Sequence, residues 1–176
     1  MKESIKSMLY RFFQLIYKRY QPNNQSIKWL ILTAFLQKIV GINRIVPWPV
    51  HFTSYVKAPE NIFSKTESVG EAMGNYIDGR NGIYLDENVS IGPKVSIISQ
   101  NHHENNYDQY IKGKPIIIRK NCLLLTNCMI LPEVELGEHT IVAAGAVVTK
   151  SFLEGNQIIG GVPAKLIKKL DNYIEL

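Results

Sequence analysis

IRKNCLLLTNCMILPEVELGEHTIVAAGAVV, the stretch from Ile118 to Val148, decides the fold. Counted in sixes from Ile118, it lands on Leu124, Ile130, Leu136, Val142 and Val148, every one aliphatic. Four residues beyond each count stand Cys122, Cys128, Val134, Thr140, Ala146 and, past the stretch, Phe152. A period of six matches neither the α-helix nor a heptad, and no long hairpin strands with turn dipeptides accompany it. It is a strict internal repeat. Six residues supply one short strand and one corner, so three units close a triangular coil and residue i stacks on residue i+18 at a strand spacing of about 4.8 Å. Ile118 then lies under Leu136, Leu124 under Val142 and Ile130 under Val148. Cys122 and Cys128 become small apolar fillers of inward positions.

The same register appears upstream at Leu85, Ile91 and Ile97, with Val89 and Val95 at the companion position. Gly92 and Gly137 directly follow an aliphatic residue, where a tight corner is expected. A parallel β-helix is therefore expected from about Leu85 to Phe152. The count breaks once, between Ile97 and Ile118, where the gap is twenty-one residues and the chain reads QNHHENNYDQY from Gln100 to Tyr110. A polar, out-of-phase segment must leave the coil as a loop near 101–115, and loops on rigid scaffolds are where chemistry usually sits.

Before the coil, Ile5, Met8, Leu9, Phe12, Phe13 and Ile16 follow helical spacing, with Pro22 to end the segment. A second helix is expected from Ser26 as N-cap to about Val40, closed by Gly41, with Trp29, Leu32, Phe35, Leu36 and Ile39 as its apolar stripe. This helical segment occupies residues 1–45 and packs on the coil, on a neighbouring subunit or on a membrane surface near a lipid-linked substrate. Pro47-Trp48-Pro49 forbids helix and opens the coil region, 46–162.

The chain has 176 residues, is 45% hydrophobic and carries a net charge of +5, all within the range of one globular domain. Its basic residues are dispersed, so nucleic acid is not the expected partner. Two cysteines six apart fit neither a metal knuckle nor a disulfide framework and favour a reducing compartment. Charges at Lys2, Glu3, Lys6 and Arg11 disfavour a secretory signal, and the apolar run from Trp29 to Leu36 is too short to span a bilayer. A cytoplasmic protein is expected, with peripheral contact at the inner face of the membrane as its variant.

Several blocks together resemble the hexapeptide-repeat acyltransferases, in particular the xenobiotic, galactoside and polysaccharide O-acetyltransferase group. They are Ser99-Gln100-Asn101-His102, Leu136-Gly137, Ala143 to Lys150 (AAGAVVTK) and Gly160 to Lys165 (GGVPAK), within a resemblance that runs from about Tyr76 to Lys168. It implies a mainly β, left-handed parallel β-helix with the N-terminal helical segment and a short C-terminal helix over 163–176. It also implies a homotrimer, with acetyl-CoA in the groove between coils and no metal.

By the same resemblance His102 is the catalytic base. A sugar hydroxyl is almost never ionised at neutral pH, so attack on a thioester needs a base, and histidine is the side chain suited to it. Its neighbour His103 faces the other way in extended chain. The resemblance places Thr126, Ala144, Gly145 and Thr149 along the pantetheine arm and Lys165 and Lys168 toward the CoA phosphates. Arg119, Leu123-Leu124-Leu125 and Glu133 depart from the pattern, the last at a corner where glycine is commoner. Asn75, Asp78 and Asn81 lie upstream without an assigned role.

The implied activity is acetyl transfer from acetyl-CoA to a carbohydrate hydroxyl, in surface-polysaccharide or glycan-precursor synthesis. N-acetylation of an aminosugar nucleotide or an antibiotic uses the same scaffold. A zinc carbonic anhydrase would need three converging histidines, and His102, His103 and His139 do not have that spacing. A non-catalytic scaffold is the remaining reading.

Overall fold

The structure, a computed structural model, describes residues 2–19, 25–66 and 69–175. Helices α1 (Lys2–Ile16) and α2 (Ile27–Ala34) come first, and α2 continues as a wider π-turn over Phe35–Val40. The expected helix stop at Pro22 and the side chain of Ile5 lie outside the described residues. Ser26 caps α2 by accepting the Trp29 N–H at 3.2 Å. Gly41 ends the helical run at φ +101°, a left-handed conformation that suits glycine.

Among the described residues sixteen strands follow in chain order. They are β1 (Tyr55–Lys57), β2 (Ile62–Ser64), β3 (Tyr76–Asp78), β4 (Ile83–Leu85), β5 (Ser90–Ile91), β6 (Ser96–Ile98), β7 (His102–His103) and β8 (Asn106–Tyr110). Then come β9 (Ile116–Ile118), β10 (Leu123–Leu124), β11 (Met129–Ile130), β12 (Glu135–Leu136), β13 (Thr140–Val142), β14 (Val147–Val148), β15 (Gln157–Gly160) and β16 (Lys165–Lys169). Fourteen of them stack into three sheets, β1-β3-β6-β11-β14, β5-β10-β13-β15-β16 and β2-β4-β9-β12, parallel throughout except where β16 returns against β15, and β7 with β8 forms a separate antiparallel pair. Strands three repeats apart being neighbours in every sheet is the mark of a triangular solenoid.

The expected stacks are present: Ile118 pairs with Leu136, Leu124 with Val142 and Ile130 with Val148. All six are completely buried in one continuous core that also holds Cys122 and Cys128. Leu85, Ile91 and Ile97 pair with Ile118, Leu124 and Ile130, thirty-three residues on instead of eighteen, so the loop adds fifteen residues without disturbing the stack. The coil also reaches further upstream than the repeat shows. Tyr55 pairs with Tyr76 and Ile62 with Ile83, each twenty-one residues on, so these early turns keep the stacking but not the count.

The corners are made differently from the expectation. Left-handed residues recur every six positions at Asn121, Asn127, Glu133, His139 and Gly145, with Asn88 and Lys94 in the upstream turns. Gly92 and Gly137 precede these corners and do not have positive φ. They are small because the next turn's backbone crosses them: a Cβ on Gly92 would sit 2.9 Å from the Leu124 carbonyl oxygen, and one on Gly137 2.3 Å from that of Leu153.

Two further expectations need correction. No helix closes the C-terminus among the described residues. The chain reverses at Gly161, φ +96°, and β16 lies antiparallel on β15, where the exposed sheet edge supplies partners for its backbone groups. The buried faces of the helices are also not the expected stripes. α1 buries Phe13, followed by Tyr17 just past its end, and leaves Met8 and Phe12 exposed; α2 buries Leu30 and Thr33 and leaves Leu32 exposed, as is Phe35 at the start of the π-turn. Ile39 in the following π-turn is exposed as well.

Gln37 sets that rotation. Its Oε1 accepts from Val50 N at 3.0 Å and from the Tyr17 hydroxyl at 2.9 Å, while its Nε2 donates to the Trp48 and Asn43 carbonyls. A buried amide satisfied on all sides outweighs an apolar stripe, because turning it outward would strand its partners.

Candidate active site

The loop that breaks the repeat is a small antiparallel hairpin, β7 and β8, rising from the corner after β6. Every residue from Asn101 to Tyr110 is exposed, so the hairpin has no core of its own and is held at its base. Asn81 does much of this: its backbone N–H donates to Ser99 Oγ at 2.9 Å and its Nδ2 to the Ile111 carbonyl at 2.9 Å. On the return side Glu133 Oε1 accepts the Lys114 N–H at 3.0 Å. The departure at Glu133 thus has a structural reason. A left-handed φ of +64° is unfavourable for glutamate, and the carboxylate it presents there anchors the loop.

His102 stands on β7 with its Nδ1 2.6 Å from the Tyr107 carbonyl oxygen. A carbonyl can only accept, so Nδ1 carries the proton and Nε2 is left with a free lone pair. His103 has the opposite arrangement. Its Nδ1 accepts the Asn105 N–H at 3.2 Å, which leaves the proton of the neutral ring on Nε2. Of the two adjacent imidazoles, only His102 presents a basic nitrogen at its outer end.

The ring of Tyr110 packs on His102, 4.6 Å between centroids. The guanidinium carbon of Arg80 lies 4.5 Å from the centre of the same tyrosine. Arg80 in turn grips Asp78, with Nε at 2.9 and 3.0 Å from the two carboxylate oxygens and Nη2 at 2.6 Å from Oδ2. Asp78 is completely buried, and its carboxylate holds the Arg80 guanidinium above its ordinary pKa.

The remaining expected residues fall on other parts of the coil. Thr126, Ala144 and Gly145 share one corner: Gly145 N–H donates to the Thr126 carbonyl at 3.0 Å, all three are exposed, and nothing stands within 4 Å of where a Cβ on Gly145 would be. Thr149 follows β14 on the corner from which the hairpin departs. Lys165 and Lys168 are exposed on β16, opposite Gly160 and Ile158. Within one chain, His102 and Thr149 thus follow strands of the same sheet, two strands apart, whereas Thr126 follows β10 and the two lysines lie on β16 of another sheet.

Of the departures, Arg119 pairs with Glu135 of the next turn at 2.6 Å, and in the leucine triplet Leu124 points inward while Leu125 is exposed. Among the described residues no three His, Cys, Asp or Glu side chains converge as a metal site.

Residues 115–150 match the family described as bacterial transferase hexapeptide (six repeats). This chain is similar to the hexapeptide-repeat transferases over that stretch. Its left-handed parallel β-helix is the fold of that family. The galactoside O-acetyltransferase of Escherichia coli is 24% identical over 172 residues, covering 95% of this chain and 78% of that protein. The chain spans 44% or less of the length of several other curated relatives, among them serine acetyltransferases.

Among solved structures, a hexapeptide-repeat acetyltransferase of Vibrio cholerae complexed with acetyl coenzyme A superposes with a TM-score of 0.55 at 19% identity, over 91% of this chain and 98% of that one. An N-acyltransferase of Bacillus cereus in complex with dTDP-4-amino-4,6-dideoxyglucose and coenzyme A gives 0.56 at 18% identity, over 71% and 82%. These likenesses establish the fold shared by hexapeptide-repeat transferases.

Asp78 and Asn81 are legible in the sequence as polar residues upstream of the loop. Arg80, Tyr107 and Tyr110 carry no such signal, because nothing in the order of residues says that the hairpin folds back over the corner after β3.

Proposed function

We propose that this hexapeptide-repeat protein is an acetyl-CoA-dependent O-acetyltransferase acting on a carbohydrate hydroxyl, with His102 as general base. The observation that carries the reading is the hydrogen bond from His102 Nδ1 to the Tyr107 carbonyl, which leaves Nε2 free to accept a proton. Nε2 takes the proton of the acceptor hydroxyl as its oxygen attacks the thioester carbonyl. His102 then returns that proton to the departing CoA thiolate, and no covalent enzyme intermediate is needed. The galactoside O-acetyltransferase relative supports a hydroxyl acceptor. The Bacillus cereus N-acyltransferase, in complex with an amino-sugar nucleotide, supports the amine alternative.

The donor site in this proposal is shared between chains. Thr126, Ala144 and Gly145 offer a smooth, uncrowded corner to the pantetheine arm, Thr149 lines its far end, and Lys165 and Lys168 meet the phosphates. Since His102 leaves the coil at a different corner, a homotrimer completes the site by setting one chain's hairpin against its neighbour's Thr126 corner.

The acceptor is a surface-polysaccharide or glycan precursor handled on the cytoplasmic side of a membrane. The N-terminal segment supports this. Residues 1–46 hold eight Lys or Arg and a single Glu, whereas the rest of the chain holds twelve basic and fourteen acidic residues. The outward faces of the helices carry Met8, Phe12, Leu15, Ile31, Leu32 and Phe35, each more than half exposed. Apolar side chains set among cations suit an anionic bilayer surface. Among the described residues no helix is long and apolar enough to cross one.

The test is release of free thiol from acetyl-CoA with hydroxyl and amine sugars offered in parallel. His102→Ala is expected to lose at least about a hundredfold in turnover while retaining its fold. Near-normal turnover in that variant would remove His102 from the mechanism, and transfer to amines alone would replace the hydroxyl acceptor.

A further inference from the structure

A base is useful only if its lone pair is aimed. The Tyr107 carbonyl selects the Nδ1–H form of His102 only while the ring stays in place to bond it, and one exposed hydrogen bond does not hold it there. The hairpin around it is exposed throughout and supplies no packed wall. What touches the flat side of the imidazole is Tyr110, paired with His102 across the hairpin and tilted 43° to it. Behind Tyr110 stands Arg80, and behind Arg80 the completely buried Asp78.

Burying a carboxylate is costly unless a cation meets it with good geometry. Here the geometry is a fork: Nε and Nη2 both engage the carboxylate, and the Arg80 backbone N–H adds a third donor at 3.2 Å to Oδ1. An arginine held this way cannot rotate, so the face it offers to Tyr110 is fixed. The pair is also neutral as a whole. This argues against Arg80 as a seat for an anionic group of the acceptor and leaves orientation as its use.

We propose that Asp78, Arg80 and Tyr110 form a clamp that fixes the plane of the His102 imidazole, so that the three are positioning residues for the transfer, a role that rests on His102 being the base. The rigid coil thereby extends its order through an ion pair and a tilted ring contact into a hairpin that has no core. Asn81 and Glu133 fix where the hairpin stands, and the clamp fixes where its histidine points.

The experiment reads the imidazole directly in the full-length, 15N-labelled protein by NMR, with the His102 signals assigned from their loss in His102→Gln. In the wild type, His102 is expected as the Nδ1–H form with a single ring environment. Arg80→Ala and Tyr110→Ala are each expected to move it toward the averaged two-form mixture of a free imidazole. Tyr110→Phe, which keeps the ring, restores the wild-type signals, and Arg80→Lys does not, because an ammonium cannot make the fork. In turnover, the two alanine variants lose about tenfold to a hundredfold in kcat, with KM for acetyl-CoA within about twofold.

Wild-type tautomer signals in a folded Tyr110→Ala protein overturn the clamp. That variant alters only the exposed hairpin, so it decides the matter even if Arg80→Ala fails to fold with Asp78 unpaired. The NMR readout needs no substrate. A wild-type protein that releases no thiol with any sugar therefore refutes the transferase reading without touching the clamp.

Discussion

Replacing Gly137 with alanine would drive a methyl group into the backbone of the next turn. The added Cβ would lie 2.3 Å from the Leu153 carbonyl oxygen, 2.6 Å from Gly155 N and 2.7 Å from Leu153 C, where ordinary contact begins at 3.4 Å. None of these atoms belongs to a side chain that can swing aside, so the two turns must part by about 1 Å. The Gly137 N–H bond to the Phe152 carbonyl, 2.8 Å, then stretches beyond hydrogen-bonding range. Losing that bond costs about 1 kcal/mol. Forcing the turns apart adds roughly 2 kcal/mol of overpacking. For a chain of this size a total near 3 kcal/mol lowers Tm by roughly 6–12 °C.

Gly145→Ala is the control. It meets open space, but at φ +69° it carries a left-handed penalty of about 1 kcal/mol, or roughly 2–4 °C. The assay is thermal unfolding by circular dichroism at one fixed protein concentration, since subunit association would also move Tm. Gly137→Ala melting within about 2 °C of the wild type, or above Gly145→Ala, would refute the argument that backbone crossing, not turn conformation, demands glycine at 137.

Glu133→Gly relaxes a left-handed corner but frees the Lys114 N–H, so global Tm should move by no more than the equivalent of about 1 kcal/mol while protease cleavage within 101–113 rises; unchanged cleavage would contradict the anchoring role. For the helical faces, the protein should float with vesicles containing phosphatidylglycerol and not with pure phosphatidylcholine, and Phe12→Asp with Leu15→Asp should abolish flotation. If those variants instead split the oligomer and leave flotation intact, the faces belong to a subunit interface.

Burial pushes the Cys122 thiol up to about 11 and Cys128 up to about 12, so both should resist thiol reagents at pH 8 until the protein unfolds. Because the folded values exceed the unfolded value near 9, the stability they contribute is complete below that pH and is lost as pH rises through about 11 and 12. Tm falling steeply above pH 9 in the wild type but less so in Cys122→Ala with Cys128→Ala checks this, and parallel curves would contradict it.

The six-residue count was enough to determine the solenoid from Leu85 to Phe152, because a stacked coil repeats one environment and each inward position then demands the same residue type. It also located the hairpin, since an insertion shows as a break in phase. The period of left-handed corners was written there too, in asparagines six apart at 121 and 127, a residue type that tolerates positive φ. The turns before Leu85 escaped the count because they spend twenty or twenty-one residues on each circuit.

What only the tertiary structure decided depends on contacts between segments far apart in the chain. Gln37 rotated the helices away from their most apolar stripe by finding four partners at once. The C-terminal residues took the free edge of β15 in place of a helix. Family resemblance could name His102, but its tautomer follows from one carbonyl five residues away and its support from a carboxylate buried one turn of the coil earlier. A repeat fixes positions that recur, and a catalytic arrangement occurs once, so its geometry is set by distance and direction in space and leaves no period to read.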